Sequence, residues 1–412
     1  MSKLKVAIVG SGISGLSCAW YLSKKFNIDI YEKCDYFGGH SNTQTVLSEG
    51  KSINVDTGFI VFNKINYTNL CNFFDALNVK SYESDMSFSV SMHNGNLEYS
   101  GSSFLSLFAQ KKNLFNINFI KMIYEIIKFY NQSENDRNIF RNFTIDEYLN
   151  KKRYSDYFKF NHLYPMASSI WSSPISKIPD FPFVEFVNFF SNHGLLRILN
   201  RPKWRTVEGG SKVYVKEVLK NKKIDSFKGF KAQACKGKNG LWEIKFNNKI
   251  KRYHHLVLAV HSDEVQSVLK GYNNSDIKIF SNIKYSENIV FLHSDRKLMP
   301  KTRKAWASWN YIESSSKVSV TYWMNKLQNL ETQRDLFVTL NPVIKPDIDK
   351  VEREIIYTHP VYDFDTFETQ KKIQSIQGKN NLWYCGAYLG YGFHEDGIKS
   401  GLTVAENLLN NI

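Results

Sequence analysis

Apolar positions gather in short runs near the two ends of the chain and once past its middle. Lys5-Val6-Ala7-Ile8-Val9 is continuous and β-branched, the pattern of a strand covered on both faces. It passes directly into Gly10-Ser11-Gly12-Ile13-Ser14-Gly15, after which Leu16, Ala19, Trp20 and Leu22 recur at helical spacing. Ile28-Asp29-Ile30-Tyr31 predicts a second strand, closed by Glu32. His255-Leu256-Val257-Leu258-Ala259-Val260 predicts another buried strand, with a helical pattern from Asp263 onward. Leu382-Trp383-Tyr384-Cys385-Gly386-Ala387 is a strand entering a glycine, and Asp396-Gly397-Ile398-Lys399-Ser400-Gly401-Leu402 opens a terminal helix.

The pattern between these runs differs. Across residues 114–130 the polar positions 118, 121, 125 and 128 form one narrow stripe on an otherwise apolar helix. Such a helix is expected to bury most of its circumference in a core. Lining an apolar tunnel or dipping into a membrane are the alternatives.

The first unit carries chemistry. Gly10 permits a tight turn, Gly12 lets the backbone approach a diphosphate, and Gly15 lets helix pack closely on strand. Free N–H groups at the helix start then face the phosphates. Glu32, seventeen residues beyond Gly15, is placed to accept ribose hydroxyls and would repel a 2′-phosphate. The order strand, glycine turn, helix, strand, acid predicts an adenine dinucleotide site, with FAD and NAD both open at this point.

Composition narrows the class. With 412 residues, 42% of them hydrophobic and 15% aromatic, the chain can bury a large core without staples. Five scattered cysteines without a CxxC pair argue against a disulfide framework or a zinc site and fit a cytoplasmic protein. No uncharged apolar run is long enough to span a membrane. The net charge of +15 is uneven: Lys212 to Arg252 holds thirteen basic residues against three acidic ones. That segment is expected to be a solvated lysine-rich face or a peripheral contact with anionic lipid on the inner face of the membrane. No nucleic-acid-binding motif accompanies the charge.

After Glu32, the string CDYFGGHSNT (34–43) places Gly38-Gly39 where backbone can again pass close to a ligand. Here the sequence resembles the FAD-dependent amine oxidases and carotenoid desaturases, in which a glycine pair follows the ribose-binding acid and is trailed by arginine. His40 stands in the arginine position. The resemblance implies an α/β fold: a Rossmann-like FAD-binding domain of the glutathione-reductase type, built from residues 1–80, 200–270 and 370–412. An inserted α+β substrate domain takes residues 81–199 and 271–369. It also implies FAD contacts from Gly10, Ser11, Gly12, Ile13, Ser14, Gly15, Glu32, Lys33, Gly38, Gly39, His40 and Ser41. Phe230 near the adenine, Ala259, Gly386, Ala387, Asp396, Gly397 and Ile398 complete the set. The terminal helix would present its positive end to the flavin pyrimidine edge. The family's acid after the first glycine is replaced by Ala387.

Longer strings narrow the resemblance. GGHSNT, VDTGFIVFN (55–63), WASWNY (306–311), TYWMNKLQ (321–328) and CGAYLGYGFHEDG (385–397) are similar to bacterial flavoproteins associated with cyclopropane-fatty-acyl-phospholipid synthases. That branch implies an oxidoreductase that desaturates a methyl-branched or otherwise modified acyl chain of a membrane lipid, with a lipid methyltransferase or cyclopropane synthase as partner. Tyr391, His394 and Glu395 are the groups expected nearest the flavin by chain proximity. Two rival readings are a flavin amine oxidase, with Lys284 as its lysine, and a flavin-binding partner of the methyltransferase without turnover of its own.

Overall fold

The computed structural model describes residues 4–171, 174–197, 201–247, 249–272, 275–314 and 317–411. Its central sheet has five strands, all parallel, in the spatial order Ile224–Phe227, Asn27–Tyr31, Lys5–Val9, His255–Leu258 and Leu382–Tyr384. The continuous apolar runs reflect two covered faces. Val6 and Ile8 point into one core with Leu16, Val257, Ile398 and Val404, while Ala7 and Val9 point into another with Leu256, Leu258, Trp242 and Ile373. Helices Ile13–Leu22, Lys212–Leu219 and His394–Asn410 contribute to the first layer. The second is a three-stranded antiparallel sheet, Ala234–Lys236, Trp242–Phe246 and Lys249–Tyr253, with helices Val265–Val268 and Phe364–Gln374.

A second, seven-stranded sheet runs in the order Val351–Pro360, Tyr285–His293, Phe337–Leu340, Lys317–Trp323, Trp309–Ser314, Phe88–Met92 and Leu97–Ser100. Its pairs are antiparallel except for 309–314 with 88–92. Helices Ile117–Asp136, Ile145–Lys151, Tyr164–Trp171 and Phe183–Asn192 close over one end of it around an aromatic core. The molecule is therefore the mixed α/β architecture that the sequence predicts, a Rossmann-like sheet with an α+β body inserted between its strands.

Helix Ile117–Asp136 departs from expectation. Phe119, Met122, Phe129 and Tyr130 face the core, but so does Glu125 from the polar stripe, and Ile117, Ile120, Tyr124 and Ile127 face outward. Burial of Glu125 is possible because its carboxylate accepts from the Ser155 amide (3.0 Å) and hydroxyl. With that face satisfied inside, the opposite side of the helix leaves Ile117, Ile120, Tyr124 and Ile127 uncovered. No helix among the described residues is long and apolar enough to cross a membrane.

The basic segment 212–252 spends much of its charge internally. Lys220 pairs with Glu217, Lys251 with Asp29 and Arg252 with Glu243 at 2.6–2.8 Å, and Lys236 donates to the Asn380 carbonyl at 2.7 Å.

Candidate dinucleotide site

Three loops meet at the carboxyl ends of the central strands. The first strand ends at Gly10, whose φ of 103° is open to glycine and where a side chain would collide with the Ala259 carbonyl. Gly12 caps the following helix without a side chain to close its first turn. A Cβ there would meet nothing within 4 Å, whereas Gly39, at φ 57°, lies against it, its own Cβ position 3.3 Å from the Gly12 Cα. The turn thus opens on free space flanked by a second glycine loop, as a diphosphate needs.

Ser11 ties these parts together. Its amide and hydroxyl donate to Glu32 Oε2 at 3.0 and 2.6 Å, and the Gly38 amide donates to the Ser11 hydroxyl at 3.1 Å. Glu32 Oε1 accepts from the Cys34 amide at 2.9 Å. Oε2 is thereby filled, and Oε1 keeps a lone pair for a further donor. Phe230 sits beside this acid: its amide donates to the Glu32 carbonyl at 2.9 Å, and its ring packs on Tyr31 and Phe246. Lys33 lies outside, in a surface ion pair with Glu264.

The terminal helix reaches the same place. A Cβ on Gly397 would stand 2.7 Å from Ile13 Cγ2 and 3.1 Å from the Ser14 hydroxyl, so the starts of the first and last helices touch. Ser400 holds the approach by accepting from the Gly386 amide at 3.0 Å, and Ala387 lies within 3.6 Å of the Gly397 Cβ position. Ile398 points into the core beneath. Asp396 accepts from the Phe393 amide at 3.0 Å and closes the 390–393 loop; burial pushes its carboxyl up to about 6.

The three residues expected nearest the chemistry have defined partners. Glu395 accepts from the Asn69 amide, Asn69 Nδ2 and the Leu70 amide at 2.8–3.0 Å, so both its oxygens cap the helix Thr68–Ala76. Tyr391 donates to Glu185 on helix Phe183–Asn192. His394 stacks on Phe59, centroids 3.6 Å apart, with Nε2 at 2.9 Å from the Ser41 hydroxyl and 3.2 Å from that of Tyr214.

Sequence reasoning passed over the surroundings of His40. Its ring packs 4.8 Å from Tyr357, 5.1 Å from His359 and 5.9 Å from His261. His40 Nε2 is shielded and has no hydrogen-bond partner among the described residues. Burial lowers His40 and His359 to about 3 and His261 to about 4, and His394 falls well below the usual range, with repulsion between neighbouring rings opposing protonation further and Lys33 adding to it at His261. Four neutral imidazoles therefore stand around the second glycine loop. The residues His261 and His359 lie 98 positions apart, so only the fold joins them. Asp56, from VDTGFIVFN, was also missed: it accepts from Thr43, the Ser211 amide and hydroxyl, and Gln328 at 2.5–3.1 Å, pinning the Gly209-Gly210 turn.

The glycine turn and its acid decide what the amino-terminal segment resembles. Residues 8–77 match the NAD(P)-binding Rossmann-like domain family. Comparison with curated protein sequences gives no significant match. Among solved structures, the chain is similar to a protein provisionally named as a protoporphyrinogen oxidase from Exiguobacterium sp. 255-15, with TM-score 0.70, 14% identity and 100% of both chains covered. Putrescine oxidase bound to putrescine has TM-score 0.67 at 14% identity, covering 99% of both chains. A CLA-producing fatty acid isomerase from P. acnes has TM-score 0.67 at 13% identity, covering 99% of this chain and 98% of its own. The Rossmann-like domain thus sits in a fold shared, end to end, with these proteins.

Proposed function

We propose that the chain is an FAD-dependent oxidoreductase that dehydrogenates a modified fatty-acyl chain of a membrane lipid. The observation that carries the flavin reading is the meeting of Gly12, Gly39 and the Gly397 helix start around open backbone. The residues fit the dinucleotide: N–H groups at Ile13 and beyond for the diphosphate, Glu32 for ribose hydroxyls, and the orphaned His40 Nε2 as an unclaimed polar atom beside the second glycine loop. Bound FAD supplies a two-electron acceptor for a hydrogen leaving carbon.

The chain's own residues set the rest. The first turn of helix His394–Asn410 offers a positive end that favours negative charge on a neighbour. The 386–393 loop presents Tyr391 and Phe393 to Phe189, centroids 6.1 and 4.7 Å apart, giving an apolar wall next to that helix. The nearby carboxylates Glu185, Glu395 and Asp396 are each engaged by Tyr391, helix Thr68–Ala76 or the Phe393 amide. His394, held neutral, orients Ser41 and Tyr214 instead of offering a strong base at neutral pH. Such a wall suits an acyl chain better than an ammonium group. Likeness to a fatty acid isomerase agrees with this reading. The amine-oxidase reading loses its lysine, since Lys284 is exposed and donates to the Ser281 carbonyl at 2.9 Å.

The test is chromatography of the chromophore released from purified protein, followed by lipid profiling of cells lacking the gene. FAD is expected, together with accumulation of a methylated acyl chain carrying one double bond fewer. FMN, no flavin or an unchanged lipid profile would defeat the proposal, and peroxide release with amines would favour the rival.

A further inference from the structure

The uncovered side of helix Ile117–Asp136 is the largest departure from the expected burial pattern. Phe115 is 88% exposed, Ile117 83% and Tyr124 66%, with Ile120 also exposed on the same helix face. Together with Leu114 and Lys121 they line a shallow groove of about 380 Å³. The neighbouring helix Phe104–Leu107 adds Phe104 at 70% and Leu105 at 79%; Phe104 packs on Phe108, which packs on the inward-facing Phe119. Scattered exposed apolar side chains are normal, but six on these two helices and the turn Lys111–Phe115 between them form a patch of the kind that marks a contact surface.

Charge says what the contact is. From Tyr99 to Tyr124 the sequence contains Lys111, Lys112 and Lys121 and no acidic residue. These lysines are exposed and enter no ion pair among the described residues. The flanking acids, Glu98 and Glu125, are buried and bonded inward. A protein partner would supply defined carboxylates and pockets. A segment of aromatic and aliphatic tips with unpaired lysines and no acid of its own matches a bilayer of anionic lipid, in which apolar side chains enter the acyl boundary and ammonium groups stay at the phosphates.

We propose that the 104–127 surface docks the protein peripherally on an anionic membrane. The helix lies along the interface, Phe104, Leu105, Phe115 and Ile117 inserted, Lys111, Lys112 and Lys121 at the headgroups. This goes beyond the acyl-chain reading and does not need it, because docking is measured without turnover.

The experiment is flotation of the full-length protein with vesicles of phosphatidylcholine alone and with about one third phosphatidylglycerol, a fraction that gives a strongly negative surface. Wild type is expected to float with the anionic vesicles, less at high salt. The double variant Phe115→Glu with Ile117→Glu is expected to lose at least tenfold in partitioning with an unchanged melting temperature, since both side chains are solvent-exposed. Neutralising Lys111, Lys112 and Lys121 to Gln should remove the preference for anionic vesicles, while neutralising Lys222, Lys245 and Lys249 of the other basic segment should not. No flotation of wild type, full flotation of the double variant, or loss only with the second lysine set would overturn the proposal. Concentration-dependent dimerisation abolished by the double variant, without vesicle binding, would assign the surface to a second copy of the chain instead.

Discussion

Ser11 shows how much one short side chain can hold. Between two glycines it reads as a residue of small size, yet its hydroxyl links the Glu32 carboxylate to the amide of Gly38. Replacing Ser11 by Ala leaves one carboxylate oxygen and one buried N–H without this partner, a cost of about 1–3 kcal/mol. Urea unfolding should register that loss, and gel filtration should show a lower flavin-to-protein ratio; unchanged values in both would remove Ser11 from the site. The glycines and Glu32 were legible because each answers a local demand of turn or strand end. His40 was legible only as a replacement for arginine, because its neighbours His261 and His359 arrive from other parts of the chain.

Among the elements, the strands were the most legible. A parallel strand covered on both faces must be apolar throughout, and Val6 to Val9 and Leu256 to Leu258 are. Helix Ile117–Asp136 was misread because polarity was taken as exposure. Glu125 is satisfied by Ser155, thirty residues away, and no periodicity within the helix can reveal that. Glu395, expected near the flavin by chain proximity, caps a helix, again through a partner remote in sequence. Contact between the first and last helices depends on absent side chains: a Cβ on Gly401 would overlap the Ser14 carbonyl. The Gly401→Ala variant is expected to lose about 1–3 kcal/mol through overpacking and to shed flavin, whereas Gly50→Ala, at a hairpin end with open space around it, should not shed flavin. Equal flavin retention in the two variants would argue against the helix contact.

For the whole molecule, the imidazole cluster predicts a dependence on pH. Folded His40 and His359 are lowered to about 3 and His261 to about 4, from an ordinary 6.5. Below that ordinary value the unfolded chain takes up protons that the folded chain refuses. Stability is therefore fully present above about pH 6.5 and declines as pH falls from there toward the folded values. Melting temperature of the flavin-free protein should drop between about pH 7 and about pH 5. His359→Gln should flatten the drop; an identical slope in the variant would show that the cluster does not govern it.

The central sheet orders its strands without regard to the order in which a ribosome makes them. Lys5–Val9 emerges early, but the sheet is completed by Leu382–Tyr384 at its edge, beside His255–Leu258, and the first turn by helix His394–Asn410 against Ile13. Closing so long a loop is slow, and the half-built sheet exposes an unpaired edge meanwhile. A nascent chain halted before Leu382 holds a glycine turn without the last helix against it.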